Sequence, residues 1–139
     1  MSPFTDSFDM PKIALLFASL HVLLMLVLAA RVVGHRRSQK IGLGDGGDRA
    51  LERKIRVHAN FVENVPVALL LLALLELSAL DARLLWAFGG ALLLARVLHA
   101  HGLSRTSGYS AGRFTGTVLT WCVLGGEAIA GLVLFATRA

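Results

Sequence analysis

The stretch from Glu52 to Pro66 reads ERKIRVHANFVENVP and runs directly into the apolar run VALLLLALL. It stays polar where a membrane helix should already be dry. At about 100° per residue, with Arg56 at zero, Asn60 falls near +40°, Glu63 near −20°, Glu52 near −40° and Arg53 near +60°. These residues share one face, within an arc of roughly 100°. His58 points to the opposite side. Cations, an amide and a carboxylate stacked along one face of a membrane helix are costly unless they meet partners or a ligand. That face is the candidate site.

The rest of the chain sets the medium. It has 139 residues, 55% of them hydrophobic and 17% charged, with a mean hydropathy of +0.67. This is too apolar for an ordinary soluble domain. Four apolar stretches, at about 12–33, 51–79, 83–103 and 111–137, each approach the ~20 residues that cross a bilayer. The expected fold is all-α: an integral membrane four-helix bundle, with residues 1–139 as one domain. The net charge of +5 and pI of 10.4 would point to nucleic acid in a soluble protein. Here the basic residues lie in loops beside apolar spans, which fits membrane orientation and anionic ligands instead. The single cysteine, Cys122, lies inside a span, so no intrachain disulfide is possible. The N-terminal MSPFTDSFDMPK carries Asp6 and Asp9 but no basic region of a cleaved signal, so the first span is expected to stay in the mature protein.

Pro11 suits the start of span one, in which His21 reads as a hydrogen-bonded core histidine. The following loop carries Arg36, Arg37, Lys40, Arg49, Arg53 and Lys54. The second long loop carries Arg105 and Arg113. The excess of basic residues places both loops in the cytoplasm and both termini outside it. Glycines 42, 44, 46 and 47 mark tight turns, and Asp45 and Asp48 are candidates to tie the loop down or cap the next helix. No Gly-Lys-Ser/Thr follows, so this is no phosphate loop. Pro66 is expected to kink span two near Glu63, and Glu76 to lie at the interface. The short link LSALDAR makes spans two and three an antiparallel hairpin. Gly89, Gly90, Gly112 and Gly116 are placed for close helix approach. Glu127, near mid-span, demands a partner or a proton.

The hairpin returns Arg96 and His99, three apart on one side of span three, to the level where span two begins. The polar layer then contains Arg36 or Arg37, Arg53, Arg56, Asn60, Glu63, Arg96, His99 and Arg113. Several guanidinium groups suit separated carboxylates or phosphates, which they grip bidentately. Glu63 suits an amino group on the same ligand, and Asn60 supplies both donor and acceptor. The histidines are not phased for a metal, so none is expected. The competing reading is an interhelical salt-bridge network that only fixes packing.

The motif ER-x-x-R-x-H-x-N-x-x-E-x-x-P in span two, R-x-x-H in span three and the Arg at the start of span four resemble the membrane-associated proteins in eicosanoid and glutathione metabolism (MAPEG). The resemblance covers nearly the whole chain, and the GDGG loop and HANFVENVP fit the short bacterial branch. It implies a homotrimer in the bacterial inner membrane, with glutathione as bound co-substrate between neighbouring protomers near the cytoplasmic face. Carried over by position, Arg56, Asn60 and Glu63 would hold glutathione, His99 and Arg113 would close the site, and Arg36 or Arg37 would come from the adjoining protomer. Arg113 would be catalytic, favouring the thiolate, and a small apolar electrophile or lipid hydroperoxide would enter from the lipid side. The implied function is a glutathione-dependent membrane transferase or peroxidase, with a non-catalytic anion-binding membrane protein as the alternative. The chain departs from eicosanoid-making members at Ala59, beside Asn60 where some carry an arginine, at Leu103, which replaces a tyrosine, and at Phe114, where a serine can assist the thiolate.

Overall fold

The computed structural model describes residues 10–105 and 110–138, with the backbone alone for 103–105. Asp6, Asp9, the side chains of Leu103 and Arg105, and loop residues 106–109 lie outside what is described. Four helices follow one another: α1 (Lys12–Gln39), α2 (Arg49–Leu77), α3 (Ala82–Arg105) and α4 (Ala111–Arg138). Each contains a window long and apolar enough to cross a membrane. The all-α four-span architecture is therefore as the hydropathy predicts. The main difference is α1, which continues to Gln39 rather than stopping near residue 33. Gly34 does not break it, because nothing forces the chain out of helical geometry before Lys40. Lys40 adopts the left-handed cap conformation at φ 56°, and its N–H reaches back to the carbonyls of Arg36 and Arg37. Helix α2 runs unbroken through Pro66.

Each helix buries a stripe at helical spacing. In α1 it is Ala14, Phe17, His21, Leu28 and Val32. In α2 it is Leu51, Val57, Phe61, Val65, Ala68, Leu72 and Leu75. Helix α3 packs against all three others, while the backbones of α1 and α4 stay apart among the described residues. Lipid tails are as apolar as the core, so close packing rather than water exclusion holds such helices together. Glycine makes that packing possible between α3 and α4. A Cβ on Gly116 would sit 2.6 Å from the Ala95 carbonyl oxygen and 2.7 Å from the His99 nitrogen. A Cβ on Gly102 would sit 2.4 Å from the Arg113 nitrogen. Gly89 lies under the Phe17 ring, but Gly90 approaches nothing and plays no packing part.

The helix ends are tied by side chains. Asp48 caps α2, its Oδ1 accepting from the N–H groups of Ala50 at 2.7 Å and Leu51 at 3.1 Å. Its Oδ2 accepts from His35 Nε2 at 2.7 Å, and Lys54 Nζ donates to His35 Nδ1 at 2.7 Å, which ties the end of α1 to the start of α2. The His35 hydrogen bond, helped by the two cap N–H groups, holds the Asp48 carboxyl below its ordinary range. At the other end Glu76, which the sequence places at the interface, has a structural role. Its carboxylate accepts from the N–H groups of Ile13 at 2.9 Å and Ala14 at 2.7 Å, capping α1 from the end of α2. Pro11 has no side chain for that task, and an anion there also meets the positive end of the helix dipole. Glu76→Ala should therefore cost about 1–2 kcal/mol, read as a lower unfolding midpoint in detergent. An unchanged midpoint would show that the cap is dispensable.

Candidate functional site

The face of α2 singled out by its sequence turns outward. Glu52, Arg56 and Glu63 are exposed, Arg53 and Asn60 are half-buried, and Val57, Phe61 and Val65 face the core. Charged groups thus stand on the outer surface of a spanning helix. Among the described residues no ion pair engages them; the ion pair found there joins His35 to Asp48. The packing-only salt-bridge network is not formed among the described residues.

Behind this face lies a buried polar layer drawn from every helix. Arg96 is 1% exposed. Its Nη2 donates to Asn60 Oδ1 at 2.8 Å and its Nη1 to Thr120 Oγ1 at 3.3 Å. Nη2 also lies 3.4 Å from His99 Nδ1. The guanidinium stands over the Phe61 ring at 5.7 Å, and that ring also neighbours His21. Thr120 donates onward to the Gly116 carbonyl at 2.7 Å. His21 is the core histidine expected of it, with Nδ1 2.7 Å from the Phe17 carbonyl. Arg96 has no carboxylate within ion-pair distance among the described residues. The layer is therefore cationic, and a cation in this setting calls for an anion or strong dipoles.

The sequence-derived set separates into groups. Asn60, Arg96 and His99 come together as the hairpin argument requires. Arg113 is half-buried, and the glycine contacts bring its turn of α4 against the His99 turn of α3. Arg56 and Glu63 stand outside this layer, on the rim. Arg96 is inward-facing, so its guanidinium grips Asn60 and Thr120 instead of meeting an outside anion. Arg53 keeps a buried Nε with no partner among the described residues. Arg36 donates from Nε and Nη2 to the Gly44 carbonyl, at 3.3 and 3.1 Å, while Arg37 is exposed at the end of α1. Arg36 and His58 line a groove of about 280 Å³ between α1 and α2, walled by Ala29, Val32, Val33, Ile55 and Ala59. Phe114 is exposed and offers no hydroxyl beside Arg113. Thr117 donates to the Arg113 carbonyl at 2.9 Å. Thr120 and Phe61 were not legible as parts of the layer. Their only signal is phasing: Thr120 lies four residues after Gly116 and Phe61 opposite the charged face.

The family model described as "MAPEG family" matches residues 14–133. The chain belongs to the MAPEG family. Two curated relatives, each called inner membrane protein YecN, come from Escherichia coli strain K12 and E. coli O6:H1. Each is 32% identical over 118 residues, which cover 81% of this chain and 84% of the relative. MAPEG membership makes the protein a four-span membrane member of the glutathione and eicosanoid metabolism family. The match takes in α2, α3 and most of α4, and so includes the outward charged face and the buried layer behind it.

Among the described residues no group of three or more His, Cys, Asp or Glu side chains could hold a metal. Cys122 is exposed on α4, away from the cationic layer. Glu127 is fully buried, and neither carboxylate oxygen has a partner among the described residues.

Proposed function

We propose that this MAPEG protein binds glutathione on the Arg56–Asn60–Glu63 face and uses it as a membrane transferase or peroxidase. The observation that carries the reading is the outward face itself: a cation and an acid, Arg56 and Glu63, with no ion pair among the described residues, beside an amide, Asn60, that is held from behind by a buried cationic layer. Glutathione offers two carboxylates, an ammonium and a thiol. Arg56 suits a carboxylate, Asn60 the peptide and Glu63 the ammonium.

A face of this kind is costly against lipid, so a second copy is the natural cover. We propose a homotrimer with sites between protomers, in which Arg36 or Arg37, at the end of α1 of one protomer, reaches the face of the next. The cytoplasmic ends of the spans carry the site, the termini lie outside, and the membrane is a bacterial inner membrane, as the name of the relatives says of them. A topology reporter at Ala139 should read as non-cytoplasmic and one at Gly46 as cytoplasmic; a cytoplasmic signal at Ala139 would contradict this orientation.

Arg113 carries the chemistry. A free thiol ionises near 8.5, and a guanidinium beside the sulfur favours the thiolate. In conjugation the thiol loses its proton, the sulfur forms a bond to the electrophilic carbon, and the leaving group departs with its electron pair. In peroxidase turnover two glutathiones are oxidised to the disulfide while a lipid hydroperoxide is reduced to the alcohol and water. Binding without turnover is the second reading, favoured by Phe114 at the position beside Arg113. Calorimetry with glutathione on the solubilised protein, followed by turnover with an aromatic electrophile and a lipid hydroperoxide, tests both. Binding with turnover is the expected result, and binding without turnover would select the second reading. The absence of glutathione binding would remove the first reading and leave the second only for another small anion.

A further inference from the structure

Asn60 stands at the boundary between the exposed charges of α2 and the buried layer, and its carboxamide is held from behind. A guanidinium has only donors. The Asn60 atom 2.8 Å from Arg96 Nη2 is therefore the oxygen. The opposite orientation would set an N–H group against a buried cation, donor against donor. Arg96 is itself fixed, by Thr120 on one side and the Phe61 ring on another. Thr120 is fixed by the Gly116 carbonyl. The chain of support runs from the α4 backbone through Thr120 and Arg96 to Asn60. Asn60 Nδ2 has no partner among the described residues.

From this geometry we infer that Arg96 is a positioning residue that turns the Asn60 oxygen inward and its N–H donors toward the outer face. The ligand atom that meets these donors is then an acceptor oxygen, a carbonyl or a carboxylate. The Asn60 oxygen keeps a second lone pair but is turned toward Arg96, so a ligand N–H on the outer face meets donors first. Arg96 does not touch the ligand; it selects which atoms of the ligand Asn60 reads. The inference rests on the proposed glutathione site and narrows it: the contact at Asn60 is to a peptide carbonyl, not to a peptide N–H.

The test uses the full-length protein in detergent with glutathione, and with an analogue whose Cys–Gly carbonyl is reduced to a methylene. Asn60→Asp keeps the oxygen facing Arg96, adds a charge to that contact and removes the donors. Its unfolding midpoint without ligand should hold or rise, while glutathione affinity falls by about tenfold or more. Arg96→Met should lower the midpoint. It should also shrink the preference for glutathione over the reduced analogue, because Asn60 is then free to turn. A merely structural role for Arg96 would lower affinity for both ligands equally and leave that preference intact. A lower midpoint in Asn60→Asp, or an undiminished preference in Arg96→Met, would overturn the inference while the proposed function stands. A wild-type protein that binds no glutathione would overturn the proposed function and, with it, the ligand part of this inference. The midpoint of Asn60→Asp would still report on the orientation of residue 60.

Discussion

Glu63→Gln is expected to weaken glutathione binding by at least about tenfold, which corresponds to 1.4 kcal/mol, without loosening the protomer. The two halves of that expectation come from different observations. Glu63 is exposed on α2 and joins no ion pair among the described residues, so its charge supports nothing inside the bundle. The unfolding midpoint should therefore stay where it is. In the proposed trimer a neighbouring protomer would cover the face, and the ligand ammonium would be desolvated against this carboxylate. Removing one member of a desolvated charge pair typically costs on the order of 2–5 kcal/mol. Glutamine keeps the shape and one acceptor but loses the charge, so the loss should fall in affinity alone. His58→Ala is the control. His58 lies half-buried in the α1–α2 groove on the other side of the helix and should leave affinity within about threefold, less than 1 kcal/mol. Calorimetry on both variants decides. Wild-type affinity in Glu63→Gln, or failure of His58→Ala instead, would mean the face has been misread.

Gly116→Ala is expected to destabilise the protein, although alanine is the better helix former. The new Cβ would lie 2.6 Å from the Ala95 carbonyl oxygen, 2.7 Å from the His99 nitrogen and 2.8 Å from the His99 Cβ. Two of these atoms belong to the backbone of α3 and cannot turn aside as a flexible side chain could. The helices must part, at a cost of about 1–3 kcal/mol for an overpacked site. The same substitution at Gly125, exposed on the same helix with nothing within 4 Å of the new atom, should be neutral or stabilising by up to about 1 kcal/mol. The pair separates close packing from propensity. Equal unfolding midpoints in the two variants would remove the glycine contact as the determinant of the α3–α4 distance. Because Thr120 hangs from the Gly116 carbonyl and holds Arg96, Gly116→Ala should also weaken glutathione binding. Gly125→Ala should not.

The number of helices and their membrane character were legible because they depend on local quantities. Twenty or so apolar residues need a bilayer whatever surrounds them, and loops of basic residues mark where the spans end. The outward charged face of α2 was legible too, since a helix phases its own side chains: Glu52, Arg56 and Glu63 emerged on one exposed side and Val57, Phe61 and Val65 on the buried one. The cap at Asp48 followed from its position just before α2.

What the chain alone could not settle is what each polar group meets on another helix. Arg96 reads in sequence as one more cation for the ligand, yet it is buried and committed to Asn60 and Thr120. Glu76 reads as interfacial, yet it caps a helix that begins more than sixty residues earlier, at Ile13 and Ala14. Of the neighbouring pair Gly89 and Gly90, only the first meets another helix. The physical reason is common to all three. Periodicity fixes the direction of a side chain about its own axis, whereas its partner depends on how far and at what angle a second axis passes. In this protein α3 and α4 come close at Gly116 and Gly102, α3 passes α2 where Arg96 meets Asn60, and the end of α2 passes the start of α1 where Glu76 caps it.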